Sequence, residues 1–304
     1  MKRDEMMVRG MDILWLGQDA CHDHAVVGGK AANLSRLTNA YRIPPGFCLT
    51  TAAFDGVSED GTQGVGALAG RPFPVTLYGQ LSEAYQRLAE LCQISEPSVA
   101  VRSSAVDEDG STASFAGQHD TYLNVVGVEA VAGAIMQCWA SAGSPRVLAY
   151  RRQHGLSTDQ VRIAVLIQQL VPAEVSAVVF GANPVTGDPN DVMINASWGL
   201  GESVVSGTVT PDSFVLRKQD LTVTSRHIAQ KHRMTVATAE QTGEVDVPRR
   251  LQTQPALDDS QIVELTRLAI ELEHIMGWPV DIECAYHAGQ LYLLQCRPVT
   301  TLGG

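Results

Sequence analysis

The chain has 304 residues, 45% of them hydrophobic, and its 22 Lys and Arg against 33 Asp and Glu give a formal net charge of −11. A chain of this length can bury a substantial core, most naturally in two lobes, and its composition is that of a globular protein. The acidity speaks against a general nucleic-acid binder, which needs a basic surface, and no stretch has the length and apolarity of a membrane span.

The N-terminal residues 1–11 read as a tail. They are too charged, and their apolar run too short, for a signal peptide. Regular patterning begins near Asp12. The six cysteines (Cys21, Cys48, Cys92, Cys138, Cys284 and Cys296) form no CxxC pair. They read as reduced, mostly buried thiols, so the expected compartment is cytoplasmic. A disulfide between Cys284 and Cys296 is the lesser alternative to core packing. His22-Asp23-His24 reads as a solvent-facing loop in preference to a metal site.

"VVGGKAANL" places Gly28-Gly29-Lys30 at a helix start, with Ala31, Leu34 and Leu37 on one side. Unpaired N–H groups there attract anions and Lys30 adds a full charge. The alternative is an ordinary helix start with a solvated lysine. The spacing is not that of a GxxxxGK[ST] loop. "IPPGFCLTT" turns into a short strand, and Asp55–Pro74 reads as a Gly-rich surface loop. "LSEAYQRLAELC" is an amphipathic helix with Leu81, Tyr85, Leu88 and Leu91 inward. "SVAVRSSA" is a strand from which Arg102 leads into an acidic, small-residue loop ending Ser114-Phe115-Ala116-Gly117. Such a loop can cradle phosphate through its N–H groups or simply lie on the surface.

"VEAVAGAIMQCWASA" is a helix, and Pro145 can open another. Two strand runs follow, "VRIAVLIQQLV" and "VSAVVFGANP", joined by Pro172-Ala173-Glu174. The backbone at Gln169, Leu170 and Val171 could pair with the rim of an adenine, although a plain strand end is the stronger reading of that stretch alone. "SWGLGES" breaks the GxGxxG pattern and carries little. The helix "DDSQIVELTRLAIELEHIMG" has Asp258 and Gln261 to form a capping box, Gly277 to end it, and a stripe of Ile262, Leu265, Ala269, Leu272 and Met276.

"DIECAYHAGQLYLLQCRPVT" reads as a hairpin. A three-residue loop, Ala288-Gly289-Gln290, sets Asp281 across from Arg297, Ile282 from Cys296, Glu283 from Gln295, Cys284 from Leu294 and Tyr286 from Tyr292. A two-residue loop would set Glu283 against Leu294. The polar face is either a solvated surface with an Asp281–Arg297 pair or a metal and phosphate site. In the second reading Glu283 and Gln295 give hard oxygens for Mg²⁺ and Arg297 clamps a phosphate.

Together "VGGKAANL", "IPPGFCLTT", "AVRSSAVDEDGSTASFAGQ", "NASWGLGESVVSG" and "GWPVDIECAYHAGQLYLLQCRPVTT" resemble the nucleotide-binding domain of the phosphoenolpyruvate synthase, pyruvate phosphate dikinase and rifampin phosphotransferase family. "FAGQHDTYLNVVG" and "RPVTTL" look most like the rifampin phosphotransferase branch. The resemblance runs from about Asp12 to Leu302. It implies an α/β (α+β) ATP-grasp-like fold, with lobes 12–167 and 168–304 and MgATP in the cleft between them. It makes Lys30, Arg102 and Arg297 the phosphate-gripping catalytic residues. Ser114 to Gly117 would cover the phosphates, Gln168, Gln169, Leu170 and Val171 would read adenine, and Glu174 would meet ribose. Glu283 and Gln295 would hold Mg²⁺.

The implied reaction splits ATP to AMP and phosphate and phosphorylates a histidine on a separate domain or partner protein, for onward transfer to a small molecule. No phosphorylatable histidine segment follows "RPVTT", so that carrier is expected in trans. The sequence departs from the family at Gln169, where a basic residue is usual, at Ala177 and Gly181, and in a shorter Phe54–Tyr78 region. A stand-alone ATP-grasp kinase or ligase, or a non-catalytic nucleotide-binding subunit, are the rival readings.

Overall fold

The computed structural model describes residues 11–58, 68, 70–106, 121–153, 155–157, 161–238 and 241–300, with the backbone alone of 109–110 and 113–114. Residue contacts divide these into two compact units, the first ending at Leu170 and the second starting at Val171. The division falls after Leu170, not after residue 167. The reason is that Gln168 and Gln169 are still paired within the first unit's sheet.

The first unit is built on a five-stranded sheet of order β1-β2-β7-β3-β6, antiparallel at every pairing. Its strands are β1 (Ile13–Trp15), β2 (Gly46–Leu49), β3 (Val99–Ala105), β6 (Thr121–Val125) and β7 (Ile163–Gln169); β4 (Asp109–Gly110) and β5 (Ala113–Ser114) form a separate two-stranded ladder. The α-helices are α1 (His24–Leu37), α2 (Thr51–Ser58), α3 (Val75–Cys92), α4 (Val128–Ser141) and α5 (Pro145–Gln153).

Period-two alternation sorts β3 and β7 into two faces. Val99, Val101, Val165 and Ile167 join one core with Leu81, Tyr85 and Leu88 of α3 and Ile135 and Trp139 of α4. Burial of each such side chain contributes about 2 kcal/mol. Leu91 does not join its predicted stripe; it is exposed in the last turn of α3, which closes at Gln93 in the left-handed region. The opposite face presents Ala100, Arg102 and Ser104, which pair with Gln168, Leu166 and Ala164. Helix α1 packs against β3 and β7, and its Ala31 N–H donates to Ser104 Oγ at 3.3 Å.

The second unit holds a six-stranded antiparallel sheet of order β11-β10-β9-β8-β14-β15. These strands are β8 (Val175–Phe180), β9 (Asp191–Trp198), β10 (Asp212–Arg217), β11 (Val223–His227), β14 (Val280–His287) and β15 (Gln290–Pro298). A short helix α6 (Glu202–Val205), a ladder of β12 (Arg233–Ala237) and β13 (Thr242–Asp246), and the long α7 (Asp259–Met276) complete the unit. Asp258 and Gln261 form the expected capping box on α7, and Gly277 ends it at φ 78°.

Ile262, Leu265, Ala269 and Leu272 of α7 are buried, as are Val179, Ile194, Phe214 and Ile282 of the sheet. Lys231 and Asp212 form a fully buried ion pair, and Asp212 also accepts from the Ala229 and Ala256 N–H groups. Those bonds satisfy a carboxylate that would otherwise be costly to desolvate. All six cysteines are free, Cys92 being half-buried and the others buried. No helix among the described residues is long and apolar enough to cross a membrane.

Candidate functional site

In the first unit, Lys30 and Arg102 come to neighbouring backbone. Helix α1 is interrupted at Gly28, which takes φ 71° and ψ 172°, so that a new helical run effectively begins just before Lys30. A Cβ at Gly28 would stand 2.1 Å from Ser104 O, a close approach that only glycine allows. The buried Lys30 donates from Nζ to Ser103 O at 3.1 Å, next to the buried Arg102 on β3. Two buried cationic side chains are thus carried by the packed elements α1 and β3. The bland alternative of a solvated lysine does not hold, because Lys30 is buried. Asp23 of the His22-Asp23-His24 triplet accepts from Ala25 N at 2.8 Å and serves as the α1 N-cap. Ser114 is described only as a backbone position paired with Asp109. Gly117 lies outside the described residues.

At the end of β7 the backbone donors are spoken for in part. Gln168 is buried and donates from Nε2 to Pro44 O at 3.2 Å. Gln169 N–H donates to Pro45 O and Leu170 N–H to Ser98 O, each at 2.9 Å. Pro45 has no N–H to give back, so the Gln169 carbonyl lacks the reciprocal bond of an ordinary antiparallel pair. Any recognition of a flat heterocycle by this stretch therefore falls to carbonyl oxygens and to Val171, not to the Gln169 and Leu170 donors.

In the second unit the hairpin departs from expectation in an instructive way. Ala288 and Gly289 both take positive φ, 49° and 69°, and His287 pairs with Gln290 across a two-residue turn. Tyr286 then faces Leu291, Ala285 faces Tyr292 and Cys284 faces Leu293. A β-bulge between Glu283 and Cys284 absorbs one extra residue on β15. Beyond it Glu283 faces Gln295, Ile282 faces Cys296 and Asp281 faces Arg297. The expected three-residue loop and the pairs Cys284–Leu294 and Tyr286–Tyr292 are thus corrected, while the polar pairs stand.

That polar wall is not a solvated surface. Asp281 and Gln295 are buried, with Glu283 and Arg297 half-buried. Arg297 Nε donates to Asp281 Oδ2 at 2.8 Å. Burial pushes the Asp281 carboxyl above the usual range, with Arg297 pulling the other way by less. Asp281 Oδ1 is buried with no hydrogen-bond partner among the described residues. Asp281 is the residue that sequence reasoning undervalues; its burial depends on strands far away in the chain, and alternation alone carries no signal of it. An unpartnered carboxylate oxygen near a carboxylate and an amide is a donor set suited to a hard cation. Among the described residues no three His, Cys, Asp or Glu side chains gather into a metal-holding group. A cation here would accordingly draw on Glu283, Gln295 and the oxygens of its ligand.

Glu174 is exposed at the base of β8, with Oε1 3.4 Å from the Ala288 N–H and 4.0 Å from His287 Nδ1. The "SWGLGES" turn serves packing. A Cβ at Gly199 would meet Thr235 O at 2.3 Å, and Leu200 N–H donates to that same carbonyl at 2.8 Å. At Gly181 a Cβ would lie 2.9 Å from Val280 N, which accounts for glycine there.

The family described as "Pyruvate phosphate dikinase, AMP/ATP-binding domain" matches residues 24–304. The chain is 37% identical over 317 residues to a probable phosphoenolpyruvate synthase of Methanocaldococcus jannaschii, covering 95% of this chain and 27% of that protein. It is 34% identical to the phosphoenolpyruvate synthase of Pyrococcus furiosus, covering 95% of this chain and 44% of that one. It is 39% identical to a rifampicin phosphotransferase of Streptomyces sviceus, covering 91% of this chain and 34% of the relative. The chain thus spans less than half the length of these curated relatives.

Proposed function

Because the chain belongs to the pyruvate phosphate dikinase AMP/ATP-binding domain family, we propose that it is the ATP-binding part of a dikinase-type phosphotransferase, an ATP-grasp-like module that holds MgATP. In this reading Lys30 and Arg102 grip the phosphates from the first unit, with the Ser114–Gly117 segment over them. Gln168, Gln169, Leu170 and Val171 meet adenine, chiefly through the Gln169 carbonyl and the Val171 N–H, and Glu174 meets ribose. Glu283 and Gln295 hold Mg²⁺, and Arg297, braced by Asp281, holds the phosphoryl group in transfer. Mg²⁺ neutralises charge on the phosphates when bound; the protein's own part is to position and to stabilise charge.

ATP gives up one phosphoryl group to a histidine imidazole on a separate domain or protein. Water takes the other as phosphate, AMP leaves, and the phosphohistidine passes its group to a small molecule. The observation that carries the reading is the register of β14 and β15, which sets Glu283 against Gln295 and Asp281 against Arg297 on one face. The test is product analysis with labelled ATP, Mg²⁺ and a histidine-bearing carrier protein or domain from a relative. AMP and phosphohistidine forming together, and only with the carrier, support the proposal. ADP forming with a small molecule alone overturns it.

A further inference from the structure

The register extends the polar wall of the second unit well past the terminal hairpin. Glu283 faces Gln295 on one side and Val178 on the other; Val178 faces Asn195, and Asn195 faces Ser213. Directly opposed residues of antiparallel strands share a face. Gln295, Glu283, Asn195 and Ser213 therefore stand in one row across the sheet, interrupted only by Val178. The reverse face of the same strands carries Ile282, Val179, Ile194 and Phe214, all fully buried.

The neighbouring row runs from Arg297 and Asp281 to Phe180, Met193 and Val215, so it turns apolar where the first row stays polar. Asn195 is half-buried in an interior strand, a place where strand preference alone disfavours asparagine. From Glu283 to Asn195 is two strand spacings, about 10 Å between backbones. Were the two side chains to lean together over Val178, they would span roughly half of that, and two magnesium–oxygen bonds of about 2.1 Å each would span most of the remainder.

We infer that Asn195 supplies a third protein oxygen to the cation–polyphosphate group that Glu283 and Gln295 hold. The inference rests on the nucleotide-site reading above. An amide oxygen suits the role because it is a hard donor that adds no negative charge opposite the phosphates.

The experiment titrates Mn²⁺ in the presence of a non-hydrolysable ATP analogue, followed by electron paramagnetic resonance, on wild type, Asn195→Ala, Asn195→Asp and Glu283→Ala. Thermal unfolding checks the fold of each, and Asn195→Ser takes the place of the alanine variant should that one not unfold cooperatively. The expected result is an affinity about ten-fold weaker for Asn195→Ala, with binding restored in Asn195→Asp. Unchanged affinity in Asn195→Ala beside a clear loss in Glu283→Ala overturns the inference and leaves the nucleotide-site reading standing, as does an aspartate that restores nothing. Unchanged affinity in both Asn195→Ala and Glu283→Ala overturns the inference together with that reading.

Discussion

Arg297 meets Asp281 through one carboxylate oxygen, Oδ2, with Nε and Nη2 each at 2.8 Å, while Oδ1 stays buried and unpartnered among the described residues. One acceptor atom thus takes two guanidinium nitrogens and orients their plane, and the second oxygen is left for another donor or a cation. In the proposed nucleotide site Asp281 would act through Arg297, as a positioning residue.

Asp281→Ala takes that acceptor from a mostly buried guanidinium. Breaking a fully buried pair costs about 3–5 kcal/mol, and the remaining exposure of Arg297 reduces the expectation to about 1–3 kcal/mol. Urea unfolding reads the stability, and calorimetry with MgATP should show weaker binding in the same variant. Asp281→Asn keeps the shape and an acceptor oxygen, and is expected to fall between the two. Equal stability and equal affinity for Asp281→Ala and wild type would contradict the positioning role.

The bulge gives the second prediction. Cys284 faces Leu293 and Glu283 faces Gln295, so Leu294 is the residue without an opposite number in the ladder. Deleting Leu294 should leave an uninterrupted ladder with every remaining pair intact, including Glu283–Gln295. The deletion variant is expected to fold and to keep its nucleotide affinity within about three-fold, roughly 0.65 kcal/mol. Deleting Cys296 instead, between the two polar pairs, makes Gln295 and Arg297 neighbours on opposite faces, so that they cannot both keep their partners Glu283 and Asp281, and should abolish binding. Calorimetry on both variants decides it; loss of binding in the Leu294 deletion would mean that the bend itself, and not the pairing, shapes the wall.

This hairpin also marks how far the sequence can be read. Matching polar to polar is sufficient to pair Glu283 with Gln295 and Asp281 with Arg297, because a one-residue slip would bury charge against leucine. It is not sufficient to place Leu291, Tyr292, Leu293 and Leu294. All four are apolar or aromatic, so alternation has no contrast to work on, and loop length and bulge can trade one residue without penalty. The ends of α7 are legible for the opposite reason: Asp258, Gln261 and Gly277 each have a local chemical role at a helix terminus. The burial of Lys30 and Asp281 is not legible. It follows from Ser103 and Ser104 lying against α1 and from β8 lying beside β14, contacts made by residues distant in the chain.

Gly28 supplies the third prediction. An alanine there would have to hold a φ of 71° and place its Cβ 2.1 Å from Ser104 O and 2.5 Å from Ser104 Oγ. The nearer of these atoms is backbone and cannot swing aside, so α1 must shift away from β3. Gly28→Ala is expected to cost at least about 2 kcal/mol in urea unfolding and to weaken ATP binding by displacing Lys30. Gly133→Ala on α4 is the matching control. A Cβ at Gly133 meets nothing within 4 Å, so that change should be neutral or stabilising by about 0.5–1 kcal/mol.

The fourth prediction concerns acid. Asp258 caps α7, accepting from Ser260 Oγ at 2.6 Å and from Gln261 N at 2.8 Å. These two bonds, the Ser260 hydroxyl first, hold its carboxyl below the usual value of 3.8. A group whose folded value is depressed stabilises the fold above its unfolded value, and that contribution is lost as pH falls through the folded value. Asp258→Ala is therefore expected to cost about 1 kcal/mol at neutral pH, with the difference from wild type shrinking below pH 3.8. In Asp258→Asn the amide oxygen would still accept from the helix N–H groups, but the side chain has no proton to take up. That variant should thus stay close to wild type at neutral pH and gain on it as the solution is acidified. Thermal unfolding of the three proteins across that range is the measurement. A wild-type to Asp258→Ala difference that stays constant down to the lowest pH would show that the cap is held by geometry alone and that the carboxylate charge contributes nothing.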